Sequence, residues 1–350
     1  MMKPTRSWTT GLGLKTLAIV LLSTLLISCG SGKKYQEFIP TRILSIGDAM
    51  SYMSFTGTTA VNNLTAVDPT TTPPQTAHWL WSYASSYGLT SMGTPSTAGA
   101  NVVFYNNNTD YPAAPTSILA QDLQRRSLGT YADVEAQANR LPTTPGSGDL
   151  VILSVGMGDI FHLADTIGST VVDRTNTSDV NRRAAIDIGL QYARLADSIY
   201  QRGYKHVLLV PSFDFSTSPY VATLSATYKN NIYALTEALN IGLMVNCNGG
   251  CTSSLDNKPY ASRAEGVWKF DVYNYVLNIS LKTLGSLQFN VNTTSPLCTA
   301  PAQTCSPTSL FDTNSPSLPF YYSGDLFTTP TLHRYIGSFL YAYSRGLTGF

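Results

Sequence analysis

Charged side chains are scarce in this chain. They make up 12% of its 350 residues, where an ordinary soluble domain carries about 25%. The 22 basic and 21 acidic residues nearly cancel, which sets nucleic acid aside as a partner. Histidine is rarer still, with four in all, so an imidazole base has to be His78, His162, His206 or His333. Thr, Ser, Asn and Tyr are plentiful, and the surface is expected to be polar but weakly charged.

Long apolar runs are also few. The run at 17–27 follows Lys3, Arg6 and Lys15, and it is too short to span a bilayer comfortably; together they read as an export signal. It ends in Leu26-Ile27-Ser28-Cys29, which resembles the bacterial lipobox, with an aliphatic residue at −3, a small one at −1 and then the lipid-bearing cysteine. That resemblance implies a signal peptide over 1–28, a lipid-anchored flexible tether over 29–40 and one domain over 41–350. With Gly30 rather than Asp after Cys29, it implies an outer-membrane lipoprotein whose membrane contact is the N-terminal lipid. Removing 1–28 takes away three basic residues and no acid, leaving 19 basic to 21 acidic.

Setting Cys29 aside leaves four of the five cysteines, in two local pairs: Cys247 with Cys251 and Cys298 with Cys305. In an oxidising compartment such pairs read as disulfides closing small loops. Zinc needs reduced thiolates and usually the tighter C-x2-C spacing. No metal and no cofactor is expected.

Beyond the tether, strands and helices alternate. "TRILSIG" (41–47), "DLVILSVG" (149–156) and "HVLLVPS" (206–212) are apolar runs bounded by turn residues, as central parallel strands require. "VWKFDVY" (267–273) reads as a further strand. The Thr/Asn/Pro-rich stretch 58–75 lacks periodicity and reads as loop. Helical spacing marks 78–89, 185–199 and the last helix, "PTLHRYIGSFLYAYSRG". This alternation predicts a three-layer α/β/α sandwich with a mostly parallel sheet.

The order of these pieces, with Gly47-Asp48-Ala49-Met50 after the first strand, "STAGANV" (96–102), "DLVILSVGMGDI" (149–160) and "SGDLFTTPTLH" (323–333), resembles the GDSL or SGNH hydrolase family, in its bacterial outer-membrane and secreted lipase/esterase branch. The resemblance implies that Ala49 stands at the nucleophilic serine, Gly99 at the oxyanion-hole glycine, Gly158 at the oxyanion asparagine, Gly324 at the catalytic aspartate and Phe327 at the catalytic histidine. Such a site needs a hydroxyl nucleophile, an imidazole base, a carboxylate to orient it and N–H donors for the oxyanion. Four of those side chains are replaced. In a serine-hydrolase triad the loss of serine or histidine alone costs on the order of a million-fold in turnover.

Two residues are fallback catalysts, Ser51 and His162. Ser51 lies two positions past Ala49, about 200° around a helix, and is expected as a helix-cap or surface serine. His162 follows Asp159 and is expected to be partly buried near the cleft. His78 and His206 are expected at the surface or as caps, and His333 in a structural place on the last helix. Asp48 and Asp159 are expected to fix strand-to-helix turns by accepting backbone N–H bonds. The tyrosines are expected in core and interface rather than on a sugar.

These readings favour a lipid-anchored SGNH-like pseudoenzyme, binding or scaffolding a lipid, acyl or glycan ligand or an envelope protein. The alternatives are an ester hydrolase with a remodelled site and a purely structural surface lipoprotein. One geometric expectation goes with the first: Ala49, Gly99, Gly158, Gly324 and Phe327 line a single cleft.

Overall fold

A computed structural model of the chain describes residues 38–51, 54–56, 59–61, 78–105, 134–244, 267–269, 292–296, 320–322 and 329–346. All of them belong to the compact unit Phe38–Thr348. The three apolar runs form its centre as β1 (Arg42–Gly47), β6 (Asp149–Ser154) and β7 (His206–Val210). Around them lie β4 (Met92–Gly93), β5 (Val102–Phe104) and β8 (Val267–Lys269), giving a six-stranded sheet in the order β4-β5-β1-β6-β7-β8. Every neighbouring pair is parallel. β1 and β6 pair along their whole length, from Arg42 opposite Asp149 to Gly47 opposite Ser154, and the Arg42 guanidinium bonds the Asp149 carboxylate at the start of that register.

Successive strand residues point to opposite faces, and both faces are buried. On one, Ile43, Leu150, Ile152, Leu208 and Val210 pack under α1 (Trp79–Ser85), α3 (Met157–Ile167), α6 (Ala226–Met244) and α7 (Pro330–Gly346). On the other, Leu44, Ile46, Val151, Leu153, Val207 and Leu209 meet α2 (Val134–Asn139) and the C-terminal half of α4 (Val180–Gln201). The architecture is therefore α/β, with helices on both faces of a parallel sheet, in keeping with the expected sandwich. Each fully buried aliphatic side chain contributes about 1.5–3 kcal/mol, so the strand positions and the helix faces packed on them together supply the core.

The crossover helix α4 begins five residues before the periodic stretch, because the Asp179 carboxylate accepts the Asn181 and Arg182 amides and caps it. It crosses α6 at a pair of glycines. A Cβ on Gly189 would stand 2.0 Å from the Leu239 carbonyl oxygen, and one on Gly242 would stand 2.0 Å from that of Ile186. A short helix, α5 (Pro219–Ala222), precedes α6. On α7 the expected aromatic packing is present: the Tyr87 hydroxyl bonds Ser344 at 2.7 Å, and the Tyr87 ring meets Tyr341 edge to face.

The stretch expected to be loop from 58 onward is not loop at its start. Thr59–Val61 (β3) pairs antiparallel with Ser54–Thr56 (β2), in a register that sets Ser54 opposite Val61, Phe55 opposite Ala60 and Thr56 opposite Thr59. A second two-stranded sheet joins β9 (Asn292–Pro296) to β10 (Phe320–Tyr322). The strand expected over 267–273 is described only for Val267–Lys269. Among the described residues, no helix is long and apolar enough to cross a membrane.

Candidate functional site

In an open parallel sheet, ligands bind outside the carboxyl ends of the strands. Three turns meet at that edge: 47–51 after β1, 154–157 after β6 and 211–218 after β7. The first two are joined by Asp48. Its carboxylate accepts the Met50 amide at 3.1 Å within its own turn and the Met157 amide at 2.9 Å across to α3, and the residue is 1% exposed. This is the turn-fixing role expected of it. Asp159 does something else: it is buried and accepts a bond from the Tyr192 hydroxyl, tying α3 to α4.

Glycine is required at two of these turns. Gly47 has φ +133°, and a Cβ there would lie 1.8 Å from the Ser154 carbonyl oxygen. Gly156 has φ +114° and starts α3, with Leu239 and Ser212 against its open side. No L side chain adopts either conformation without strain.

Two buried amides complete the edge. Gln137 of α2 accepts the Gly47 amide at 2.7 Å and donates to the Gly47 carbonyl at 3.0 Å. Asn240 of α6 accepts the Ser212 amide at 3.1 Å and donates to its carbonyl at 2.9 Å. Each replaces a missing strand neighbour where the ladder ends, so that buried backbone groups stay paired. Sequence reasoning does not find either. The available signal is a polar side chain on the apolar face of a helix: Gln137 between Val134 and Ala138, and Asn240 four residues past Thr236.

Ala49 opens a 3-10 turn over Ala49–Ser51. Gly158 lies buried in the first turn of α3. The Asp48–Met157 bond and the β1–β6 register bring these two segments to the same edge, as the resemblance implies. Gly99 is not there. It lies in the loop that enters β5, its carbonyl accepts the Ser91 hydroxyl at 3.2 Å, and Ser91 immediately precedes β4. Gly99 is thus an exposed residue at the amino ends of the strands, opposite the expected cleft. Sequence order does not reveal this, because a glycine between two strands is equally compatible with either edge. Gly324, Phe327 and the cysteines Cys29, Cys247, Cys251, Cys298 and Cys305 lie outside the described residues.

Both fallback catalysts are placed differently from expectation. Ser51 is fully buried rather than at the surface. The tight 3-10 geometry folds it back over Asp48, so that its amide and its hydroxyl both donate to the Asp48 carbonyl, at 3.2 and 3.1 Å. His162 is exposed rather than partly buried. The buried face of α3 runs through Ile160, Phe161 and Ala164, and position 162 falls about 200° around from Ile160.

His333 holds the structural place expected of it, and His78 the expected cap, while His78 and His206 are more buried than surface residues. His78 is the N-cap of α1 but is 1% exposed. Its Nδ1 accepts the Leu80 amide at 3.1 Å, so the ring proton is on Nε2, which donates to the Met50 carbonyl at 3.2 Å. The Trp79 indole donates to the same carbonyl at 2.6 Å. His333, also buried, accepts the Trp79 amide on Nδ1 at 3.2 Å and stacks on His78 with centroids 5.2 Å apart. Burial drives His78 down to about 3 and His333 well below the ordinary imidazole value. His206 is half-buried against the Phe38 ring, and burial lowers it to about 4. In the third turn Asp214 takes the Ser216 amide at 2.8 Å, and its carboxyl is raised by burial.

Chemically, the described part of this edge holds backbone in place. Its polar side chains accept and donate bonds to main-chain groups, and its one hydroxyl next to Ala49 is spent on a carbonyl. Among the described residues, no three His, Cys, Asp or Glu side chains are grouped as a metal site would need. No protein-family model matches the chain, and no curated protein matches it.

Proposed function

We propose that the chain is a lipid-anchored, SGNH-like protein without hydrolase chemistry, which binds or scaffolds a lipid, acyl or glycan ligand or an envelope protein at the outer membrane. The observation that carries this reading is at the turn after β1. Residue 49 is alanine, and the alternative hydroxyl on Ser51 is buried and donates to the Asp48 carbonyl. A nucleophile needs a free approach to substrate and a base within hydrogen-bond reach. The imidazole that does reach this turn, His78, has its acceptor nitrogen occupied by the Leu80 amide and its donor by the Met50 carbonyl. It is neutral and positioned as a cap, not as a proton acceptor.

The same geometry weighs against the remodelled hydrolase. Of the two fallback catalysts, Ser51 is buried and His162 exposed, and the helix face that exposes His162 turns it away from the core. The retained scaffold at the strand ends, held by Asp48, Gln137 and Asn240, supports a preserved binding edge.

Serine-reactive fluorophosphonate labelling separates the two. The proposal expects no label above a heat-denatured control, and covalent labelling abolished by Ser51→Ala would overturn it. Thermal melting in the presence of fatty-acyl, phospholipid and acetylated-glycan probes then distinguishes a binder from a purely structural lipoprotein. A binder's melting temperature rises with ligand concentration.

A further inference from the structure

The stacked histidines occupy a mechanical position between three distant parts of the chain. His78 starts α1, His333 lies in the first turn of α7, and both reach the turn after β1 through the Met50 carbonyl, His78 directly and His333 by way of the Trp79 residue whose indole bonds it. Each ring uses Nδ1 as an acceptor for a backbone N–H, Leu80 for His78 and Trp79 for His333. We infer that His78 and His333 form an acid-sensitive latch, which holds α1 and α7 to the β1 turn while both rings are neutral and releases them when Nδ1 takes up a proton.

A protonated imidazole carries N–H on both nitrogens, so Nδ1–H would be driven against the Leu80 or Trp79 N–H and the helix-start bond would be lost. Two imidazolium rings at 5.2 Å would also repel each other in a buried place. Among the described residues, the rings' bonds go to backbone groups and not to a carboxylate that would relieve this. On the β1 turn the charged group is Asp48, whose oxygens take the Met50 and Met157 amides. On α7 the neighbour Arg334 is itself a cation, and α1 contributes the Tyr83 phenol and no charge.

The sign follows from burial, which disfavours the charged form and lowers both groups. The stability supplied by the neutral pair is complete above the unfolded value of about 6.5 and is lost as pH falls from there towards the folded value of His78, about 3. At pH 4.5, opening that frees one imidazole is favoured about 100-fold over the same opening at neutral pH. The latch works in the same way whether or not the neighbouring edge is catalytic.

Amide hydrogen exchange on the full chain at pH 7.5 and 4.5 tests it, read as protection of the α1 and α7 amides relative to those of β6. The expected result is a relative loss of about 30-fold or more at pH 4.5 in the wild type. In the His78→Asn, His333→Asn double variant, whose side-chain oxygens can accept the same N–H groups without titrating, that loss is expected to vanish. An equal loss in both proteins, or none in the wild type, would overturn the latch. A readout on the wild type alone covers a variant that does not fold. The imidazole proton resonances of His78 and His333 should stay unmoved from pH 7.5 to 5 in the native protein, and titration of either near pH 6.5 would refute the inference.

Discussion

The Asp48 carboxylate bonds the Met157 amide at 2.9 Å, across 109 residues of chain. Its other oxygen holds Met50, so one side chain keeps the turns after β1 and β6 together. Replacing it by alanine leaves two buried N–H groups unpaired, at about 1–3 kcal/mol each. Asp48→Ala should therefore lower stability by several kcal/mol in urea unfolding. Asp48→Asn, which keeps one acceptor oxygen, should cost roughly half as much. Equal midpoints for Asp48→Ala and wild type would contradict the bridging role.

Two glycines with positive φ should differ sharply in how much substitution costs. Gly47→Ala places a Cβ on the Ser154 carbonyl and should abolish folding or cost more than about 4 kcal/mol, in the range of the most severe single changes. Gly99, at φ +75°, has open space around it, and Gly99→Ala should cost only about 1–2 kcal/mol of left-handed backbone strain. Thermal melts of the two variants decide it, and a severe Gly99→Ala phenotype would argue against its exposed place at the far edge.

Short-chain acyl esters should not be hydrolysed above a buffer blank, and Ala49→Ser alone should not create turnover. A serine without its base retains almost none of a triad's advantage, because the group acts as a unit. A p-nitrophenyl acetate rate that rises with Ala49→Ser by more than tenfold would mean that a working base already faces the turn.

Cys29→Ala should release the protein from membranes or leave an unprocessed precursor, as seen by fractionation and intact mass. Alkylation of the native protein without reduction should tag none of Cys247, Cys251, Cys298 and Cys305. Four tagged thiols, or linkages other than Cys247–Cys251 and Cys298–Cys305, would refute the local pairing.

The central sheet is legible in the amino-acid sequence because its determinants are local. A short run such as "VILSV" bounded by turn residues suits an inner strand buried on both faces, and the periodicity around Ala185 to Ile199 leaves one choice of face for α4. Asp48 is legible for the same reason, since an aspartate right after a strand meets the amides of its own turn first. Ser51 departs from its expected place because one 3-10 turn instead of an α-helical one redirects a side chain from solvent into the core. Gly99 departs from its own because its motif carries no mark of which strand end it joins.

Composition and periodicity by themselves determined the α/β class, the places of the main strands along the chain and the scarcity of groups able to do acid–base chemistry. Only the tertiary structure decided how distant segments share the space at the strand ends. Gln137 meets Gly47 over 90 residues and His333 meets Trp79 over 254. Such partners are selected by which buried donor and acceptor are left unpaired once the sheet and helices have packed, and that remainder exists only in the folded chain.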